Sequence, residues 1–464
     1  MNPNDEDENS QTRPIPLGFV PTPTREYRTY RKARRATVSS ALPPIPIPIP
    51  IPLPLLKGPR VLMWKQDPSV AEIGIRKAFL PRPVAAGPRD ARITTAGLPS
   101  VSPNALGDFI GPLPGSDGFD CIHAFSVVRQ TLTMYQRAMK GAAVPWQWNS
   151  ASNAQPISVF PHAGNMANAF YSRTDQALKF FFFPKPGTTP PAMVFTCRSL
   201  DIVAHETGHA VLDGLKPGWL LSSNPPQTGG LHESFGDLTA IFLTLSQMDQ
   251  VEAIIAQTKA NLHDKTFLAD LAEEFGLALG RPNGLRNADN DFKLSEVGTE
   301  VHAISQVFTG GIYDVLADIF AFERQPGLKD DAAVLYDVGH YICSLVLRAI
   351  AAAPATAATY SHVVNQMLTI AAADGKPVQY RNFIRNRFTF REVVVSPTPL
   401  AADHQVGVAL AAHVEDQPGA VQNRSSCCGT MQLGEYTGAD EAIAAEAEDL
   451  QKALKAGAKP SKAA

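Results

Sequence analysis

The pattern of hydrophobic and polar positions divides this 464-residue chain into regions of different character. Residues 43–56 alternate proline with isoleucine or leucine. Proline fixes φ and has no amide hydrogen to donate, so this segment is predicted to be extended or polyproline II. The runs "RVLMW", "ARITTAG", "ISVFPHA" and "ALKFFFF" predict short β-strands. Residues 119–139 carry apolar side chains every three to four positions, which predicts an amphipathic helix.

Helical patterns dominate the chain from residue 199 onward. The run "FTFREVVV" predicts one late strand, and the Ala-rich, charged C-terminal tail has too few apolar residues to join a core. The spacing of apolar residues predicts helices over 199–214, 231–247, 249–276, 299–321, 330–352 and 358–373.

This order of elements predicts four regions. An extended proline-rich segment covers residues 1–60, and the tail covers residues 426–464. Between them we expect an α+β subdomain over 61–215 and a mainly α-helical C-terminal subdomain over 216–425. The proline-rich stretch 43–56 is interpreted either as a semi-rigid spacer or as a strap that occupies a groove of this protein or of a partner.

The composition limits the classes of function. Apolar residues make up 44% of the chain and charged residues 18%, which favours a mostly globular protein. A formal net charge of −3 gives no electrostatic reason to expect nucleic acid or an anionic membrane as a partner. No apolar run approaches the length of about 18 residues that a membrane span needs, so no span is predicted. The N-terminus has no pattern of a signal peptide, and we expect a cytoplasmic or unconventionally exported protein.

The five cysteines are scattered and form no C-x-x-C pair. A disulfide framework or a zinc site built on thiolates is therefore not predicted. The adjacent Cys427 and Cys428 lie in a polar run and are predicted to be exposed thiols, with no role that the sequence identifies.

Candidate chemistry enters at "DIVAHETGHAVLDG", residues 201–214. This stretch suits a helix that Ser199 or Asp201 caps and that Gly214 ends. His205 and His209 are four residues apart, so both imidazoles project from one helix face and can share one tetrahedral ion. Glu206 lies beside them, within reach of a metal-bound water, and this geometry underlies the H-E-x-x-H zinc signature. The alternative is a polar patch on an ordinary helix.

Two histidines need a third ligand, and "GGLHESFGDLTAIF" offers one. Glu233 and Asp237 lie four residues apart on the polar side of the second predicted helix. Glu233 is the candidate third ligand, which leaves a fourth position open for water as in catalytic zinc sites. Asp237 is placed to accept a hydrogen bond from the outer nitrogen of a ligand histidine. The alternative for both carboxylates is a solvated helix face.

With these motifs in place, the chain resembles the thermolysin-like zinc metalloproteases. "DIVAHETGHAVLDGLKPG" resembles the metal-binding helix of that family, and "GGLHESFGDLTAIF" resembles the helix with its E-x-x-x-D pair. "NMANAFYSRTDQALKFF", "GLRNADND" and "EVHAISQVFTGGIYDVL" resemble three further segments in family order. The resemblance implies an α+β N-terminal subdomain and a mainly α-helical C-terminal subdomain, with one zinc ion in the cleft between them.

The resemblance also implies roles for further residues. Asn168 and Ala169 match an edge strand that pairs with bound peptide, and Arg286 matches an arginine that reaches a substrate carbonyl. His302 matches a histidine that stabilises the tetrahedral intermediate. His302 would lie in the first turn of a helix that Thr299 caps.

The chain departs from the family pattern at several points. Leu221 stands nearest to a tyrosine that helps to hold the oxyanion in the family, and His232 stands where an asparagine is usual. The segment "SSNPPQT" is predicted to be a loop that absorbs extra length between the ligands. Glu296 or Glu300 is the candidate to orient His302. Residues 251–276 read as helix and not as a carboxylate-rich loop, so no structural calcium is expected.

These observations predict a zinc-dependent metalloendopeptidase that hydrolyses internal bonds of a peptide or protein substrate. The competing hypothesis is a catalytically weak or inactive zinc-binding scaffold with a protease-like fold. An aminopeptidase is a third hypothesis, but no glutamate-bearing segment of the G-x-M-E-N kind is found.

Overall fold

Short strands lie mainly before residue 200 in the computed structural model, which describes residues 57–278, 280 and 284–393. The strands are β1 Arg60–Trp64, β2 Ile75–Phe79, β3 Ile93–Thr95, β4 Ile157–Phe160, β5 Ala169–Ser172, β6 Ala177–Phe180, β7 Phe182–Pro184, β8 Met193–Phe195, β9 Asp270–Leu271 and β10 Arg286–Asn287.

Helices make up most of the rest of the described residues. They are α1 Asp117–Ala138, α2 Leu200–Leu215, α3 Pro226–Leu245, α4 Met248–Thr258, α5 Glu273–Ala278, α6 Val301–Glu323, α7 Asp331–Ala352, α8 Tyr360–Ala373 and α9 Val378–Phe390. The predicted strands in "RVLMW", "ARITTAG" and "ISVFPHA" are confirmed, as are the predicted helices over 119–139, 330–352 and 358–373 within one or two residues at each end.

The largest sheet has four strands in the order β3-β4-β6-β5. Strand β4 runs parallel to both β3 and β6, and β5 pairs antiparallel with β6. Strand β5 therefore lies at an edge of this sheet, as the resemblance of "NMANAFY" predicts. All four residues of β5 are buried, so their side chains pack against other parts of the protein.

Helices α2 and α3 cross at a pair of glycines. A Cβ atom on Gly208 would lie 2.4 Å from Thr239 Oγ1 and 3.2 Å from the Cα of Gly236. A Cβ atom on Gly236 would lie 2.6 to 2.8 Å from three ring atoms of His205. Glycine at these two positions lets the helix backbones approach closely, and every residue of α3 is buried.

Three predicted elements differ from the structure. The helix predicted over 249–276 is broken, because α4 ends at Thr258 and Lys259 and Ala260 follow with positive φ. The run "ALKFFFF" forms two strands, β6 and β7. The late strand predicted in "FTFREVVV" is wrong for its described part, because residues up to Phe390 continue α9. The last two residues of that run, residues 1–56 and the tail lie outside the described residues.

Two helix ends differ from the prediction, the end of α2 by one residue and the start of α3 by five residues. Helix α2 continues through Gly214 to Leu215, and a Cβ atom on Gly214 would lie 1.9 Å from Pro145 O. This glycine therefore permits a close backbone contact and does not end the helix. Helix α3 begins at Pro226, so the last three residues of "SSNPPQT" are helical. Proline suits the first helical position because its missing amide hydrogen has no intrahelical acceptor there.

Among the described helices, α7 is long and apolar enough to cross a membrane by length and composition alone. Of its most apolar window, 61% is buried inside the protein. A packed core helix has the same composition, so this property does not distinguish the two cases.

Candidate metal centre

Helix α2 presents two imidazoles side by side. The Ser199 hydroxyl caps α2 by accepting a hydrogen bond from Ile202 N at 3.4 Å, as one of the two predicted caps. His205 and His209 are one helical turn apart and both buried. Their ring centroids lie 4.5 Å apart with the planes nearly perpendicular. The predicted shared orientation of the two histidines is thus present.

Helix α3 brings a carboxylate to both rings. Glu233 Oε2 lies 3.5 Å from His205 Nε2, and Glu233 Oε1 lies 3.5 Å from His209 Nε2. Glu233 is fully buried, so the solvated helix face that was its alternative reading is wrong. Burial favours the neutral acid, but the imidazoles of His302 and His209 outweigh burial and hold the pKa of Glu233 well below its usual range.

The facing atoms of these three residues, here named the α2–α3 cluster (His205, His209 and Glu233), fit a metal ion. One nitrogen or oxygen atom from each residue lies within 4.8 Å of the others. Both Nε2 atoms and both Glu233 oxygens are buried without a hydrogen-bond partner among the described residues. Ligand atoms at about 2.0–2.1 Å around a tetrahedral ion lie roughly 3.4 Å apart, close to the separations found here. The α2–α3 cluster is therefore a buried site that can bind a metal ion.

Asp237 and Arg286 support the outer side of His205. Asp237 Oδ1 lies 3.0 Å from His205 Nδ1, as the sequence predicted. Arg286 donates to Asp237 from Nε at 3.1 Å and from Nη2 at 2.6 Å. Burial lowers the pKa of His205, but the hydrogen bond with Asp237 and the neighbouring Glu233 carboxylate outweigh this effect and raise it to about 9. Arg286 is thus brought to the site, although its observed contacts are to protein groups.

Glu206 lies beside the α2–α3 cluster, and one of its carboxylate oxygens is held by a hydrogen bond. Tyr171 N donates to Glu206 Oε2 at 2.9 Å. The other oxygen, Oε1, is buried and has no hydrogen-bond partner among the described residues. Burial raises the pKa of Glu206 to about 8, with the charge of Glu233 adding to the rise. A carboxyl group with a pKa near neutrality can both accept and return a proton at physiological pH.

His302 reaches the same site from α6. Its Nε2 lies 3.1 Å from Glu233 Oε2, and its Nδ1 lies 2.6 Å from Glu300 Oε1. Burial lowers the pKa of His302, but the charge of Glu233 and the hydrogen bond with Glu300 raise it well above its usual range. Glu300 also caps α6, accepting from His302 N and Ala303 N. The predicted cap Thr299 is therefore wrong, and Glu300 is the carboxylate that orients His302.

The predicted substrate strand lies against Glu206. Asn168 is buried, and its Oδ1 accepts a hydrogen bond from Ala169 N at 2.8 Å. Ala169 begins β5, the edge strand whose Tyr171 amide binds Glu206. Leu221, which the resemblance places nearest to a tyrosine of the thermolysin-like proteases, follows the short 3-10 helix Pro217–Leu220 and is 45% exposed.

Two groups of site residues were missed by sequence reasoning. Behind His209, His232 Nδ1 lies 2.8 Å from His209 Nδ1. Along α2, Asp213 accepts from Tyr171 Oη at 2.7 Å and from Arg173 Nε at 2.8 Å, so Tyr171 joins β5 to α2 at two points. The four-residue spacing of His205, His209 and Asp213 was a signal that could have identified the second contact.

Two other groups among the described residues bring metal-ligand atoms together. Asp120, His162 and Cys197 form one of them, here named the Asp120 cluster. His263, Asp289 and Asp314 form the other. In both, an arginine already pairs with a carboxylate: Arg198 with Asp120, and Arg391 with Asp314.

Comparison of the sequence with known protein families found no family that matches, and comparison with curated proteins found no match either.

Proposed function

We propose that this protein is a zinc-dependent metalloendopeptidase. The observation that carries the proposal is the convergence of two imidazole Nε2 atoms and one carboxylate, all buried and without hydrogen-bond partners among the described residues, beside Glu206. Nitrogen and oxygen ligands in a tetrahedral arrangement suit zinc, and three protein ligands leave one position for water or substrate. His205, His209 and Glu233 would hold the ion.

A bound zinc ion would supply the positive charge that polarises a scissile carbonyl and acidifies a water molecule. Glu206 takes a proton from the attacking water, whose oxygen bonds to the carbonyl carbon. The C–N bond then breaks as Glu206 returns the proton to the leaving nitrogen. The hydrogen bond from Tyr171 N to Oε2 leaves Oε1 of Glu206 available for both transfers.

His302 stabilises negative charge that develops on the carbonyl oxygen. The neighbouring carboxylates of Glu233 and Glu300 raise the pKa of His302 well above its usual range in the metal-free protein, which favours the imidazolium form. An imidazolium fixed by Glu300 is a preorganised hydrogen-bond donor. One such donor stabilises a transition state by about 3 kcal/mol. Arg286 is fixed on Asp237 in the structure, and its contact with a substrate carbonyl is a further proposal.

Cleavage of internal bonds is favoured by the position of β5. An extended peptide can add to a sheet edge through backbone hydrogen bonds, which places residues on both sides of the scissile bond. Asn168 and Ala169 lie at the start of this edge strand, next to the strand residue whose amide binds Glu206. A peptide that crosses the site in this way need not present a free amino terminus.

A zinc-binding scaffold with weak or no catalysis is the second candidate. Leu221 favours it, because an aliphatic side chain at this position cannot donate a hydrogen bond to an oxyanion. The two candidates share the metal site and differ in turnover, so only a measurement of cleavage separates them.

The test is cleavage of a diverse peptide library by the zinc-loaded full-length protein, read by mass spectrometry. We expect internal cuts by the wild type and at least a hundredfold slower cleavage by E206Q, because general-base catalysis contributes about 10²–10⁴-fold. The bound zinc should be the same in both. E252Q, which alters an exposed glutamate of α4, is the matched control and should cleave like the wild type.

Cleavage only at the amino termini of the peptides would show that the protein is an aminopeptidase and not an endopeptidase. A zinc-loaded wild type that cuts no peptide in the library would favour the scaffold, and unchanged cleavage by E206Q would remove Glu206 from the mechanism.

A further inference from the structure

His232 lies directly behind the proposed ligand His209. The ring of His209 presents Nε2 to Glu233 at 3.5 Å and Nδ1 to His232 Nδ1 at 2.8 Å. The two ring centroids are 4.9 Å apart with the planes inclined by 33°. Both residues are fully buried. The distance of 2.8 Å is that of a good hydrogen bond, in which one Nδ1 donates and the other accepts.

The direction of this hydrogen bond decides whether His209 can bind a metal. A neutral imidazole carries one proton, and a ligand nitrogen must present a lone pair. His209 can bind through Nε2 only when its proton is on Nδ1, which then donates to His232 Nδ1. If His232 donated instead, the proton of His209 would be on Nε2 and would point at Glu233.

The ring of His232 makes no other hydrogen bond among the described residues. In the metal-competent arrangement its proton is on Nε2, and that atom is buried without a hydrogen-bond partner among the residues described. An unsatisfied buried donor has a free-energy cost. An apolar side chain would avoid this cost, so packing alone gives no reason for an imidazole at this position.

We infer that His232 is a positioning residue for the metal site: by accepting a hydrogen bond from His209 Nδ1, it selects the tautomer whose Nε2 faces Glu233. The inference rests on the proposed metal site. Asp237 does the same for His205 with a carboxylate. The two ligand histidines are therefore oriented by different chemical groups, one anionic and one neutral.

Asparagine and leucine at position 232 separate this role from packing. The Oδ1 atom of asparagine occupies nearly the same place relative to the backbone as Nδ1 of histidine, and it accepts hydrogen bonds. Leucine has the same branching as asparagine but no acceptor. Both substitutions remove the outer part of the ring, so both leave a similar cavity beside His209.

The experiment measures the zinc affinity of full-length wild type, H232N and H232L by competition with a chromophoric chelator. We expect H232N to bind zinc within about threefold of wild type. H232L should bind about 10–100-fold more weakly, the usual effect of losing an outer partner of a ligand histidine. The thermal midpoints of the two metal-free variants should agree. H123L, at a buried histidine of α1 that stacks on Phe119, should leave the zinc affinity unchanged.

Equal zinc affinities of H232N and H232L would overturn the inference, whether both are weakened, as a packing role predicts, or both match the wild type. Zinc binding by the wild type that is tight and depends on His205 would in either case leave the proposed metal site in place. A wild type that binds no stoichiometric zinc would overturn both the metal site and the role of His232.

Discussion

The α2–α3 cluster and the Asp120 cluster contain similar groups but satisfy them differently. In the Asp120 cluster, Arg198 donates to the Asp120 carboxylate from Nε at 2.9 Å and from Nη2 at 2.8 Å. His162 Nε2 lies 3.0 Å from the same carboxylate. In the α2–α3 cluster, the two Nε2 atoms each lie 3.5 Å from a Glu233 oxygen, and neither these nitrogens nor the Glu233 oxygens have a hydrogen-bond partner among the described residues.

This difference shows which property indicates a metal site. The α2–α3 cluster is fully buried and the Asp120 cluster is buried except for the partly exposed His162, and both bring ligand atoms close together. Only where buried polar atoms converge without hydrogen bonds does the protein have a cost that a bound cation would remove. The Arg198 guanidinium makes hydrogen bonds with the Asp120 carboxylate. The His302 ring lies 3.1 Å from Glu233 Oε2, but both imidazole Nε2 atoms of the α2–α3 cluster have no partner among the described residues. We therefore expect zinc to bind at the α2–α3 cluster and not at the Asp120 cluster.

The largest expected effect is on zinc binding at the α2–α3 cluster. E233Q keeps the size of the side chain and removes its charge, and it should weaken zinc binding by about a hundredfold to a thousandfold. Structural zinc sites bind the ion with roughly 10–16 kcal/mol, which corresponds to about 3–4 kcal/mol for each of four ligands. We take this value per ligand for Glu233. C197S, the matched change in the Asp120 cluster, should leave both affinity and stoichiometry unchanged. Chelator competition and metal analysis measure both, and a loss of bound zinc in C197S would invalidate the comparison.

An intermediate effect is expected on stability at the Asp120 cluster. D120N leaves the Arg198 guanidinium without its carboxylate, and removing one member of a buried ion pair costs about 3 kcal/mol or more. Chemical denaturation of the metal-free protein measures this loss. D331N breaks the half-exposed pair with Arg324 and should cost no more than about 1 kcal/mol. If D120N also lost zinc, the Asp120 cluster would have to be counted as a metal site.

The smallest expected effect concerns a buried histidine outside both clusters. Burial lowers the pKa of His123 to about 4, and the charge of Asp120 offsets only part of this shift. Between pH 6.5 and 4 the unfolded chain therefore binds more protons at His123 than the folded protein, so His123 makes stability fall as the pH falls. Between pH 7 and pH 6 the free energy of unfolding should fall by about 0.7 kcal/mol because of His123.

H123F should remove that part of the pH dependence, measured as the change in free energy of unfolding between pH 7 and pH 6. H340F, at an exposed histidine of α7, is the control and should keep the wild-type dependence. If the free energy of unfolding fell equally with pH in H123F and wild type, protonation of other groups would cause the acid sensitivity. The burial of His123 would then make no measurable contribution to the pH dependence of stability.

Most of the candidate site could be predicted from local spacing. The i, i+4 relation fixes His205 and His209 on one face of α2, and Glu233 and Asp237 on one face of α3, because an α-helix turns every 3.6 residues. The edge position of β5 also agreed with the prediction. The break after Thr258 was not predictable from periodicity, because apolar spacing continues through residues with positive φ.

The sequence by itself therefore determined which side chains share a helix face, since that geometry is local and repeats along the chain. Only the tertiary structure decided how closely the faces meet. The glycine contact at Gly208 and Gly236 sets the approach of α2 to α3, and it brings Glu233 to both imidazoles and His232 to His209. The contact between Tyr171 and Glu206 likewise joins a sheet edge to a helix. Such contacts depend on packing distances between distant segments, and those distances have no periodic signal in the sequence.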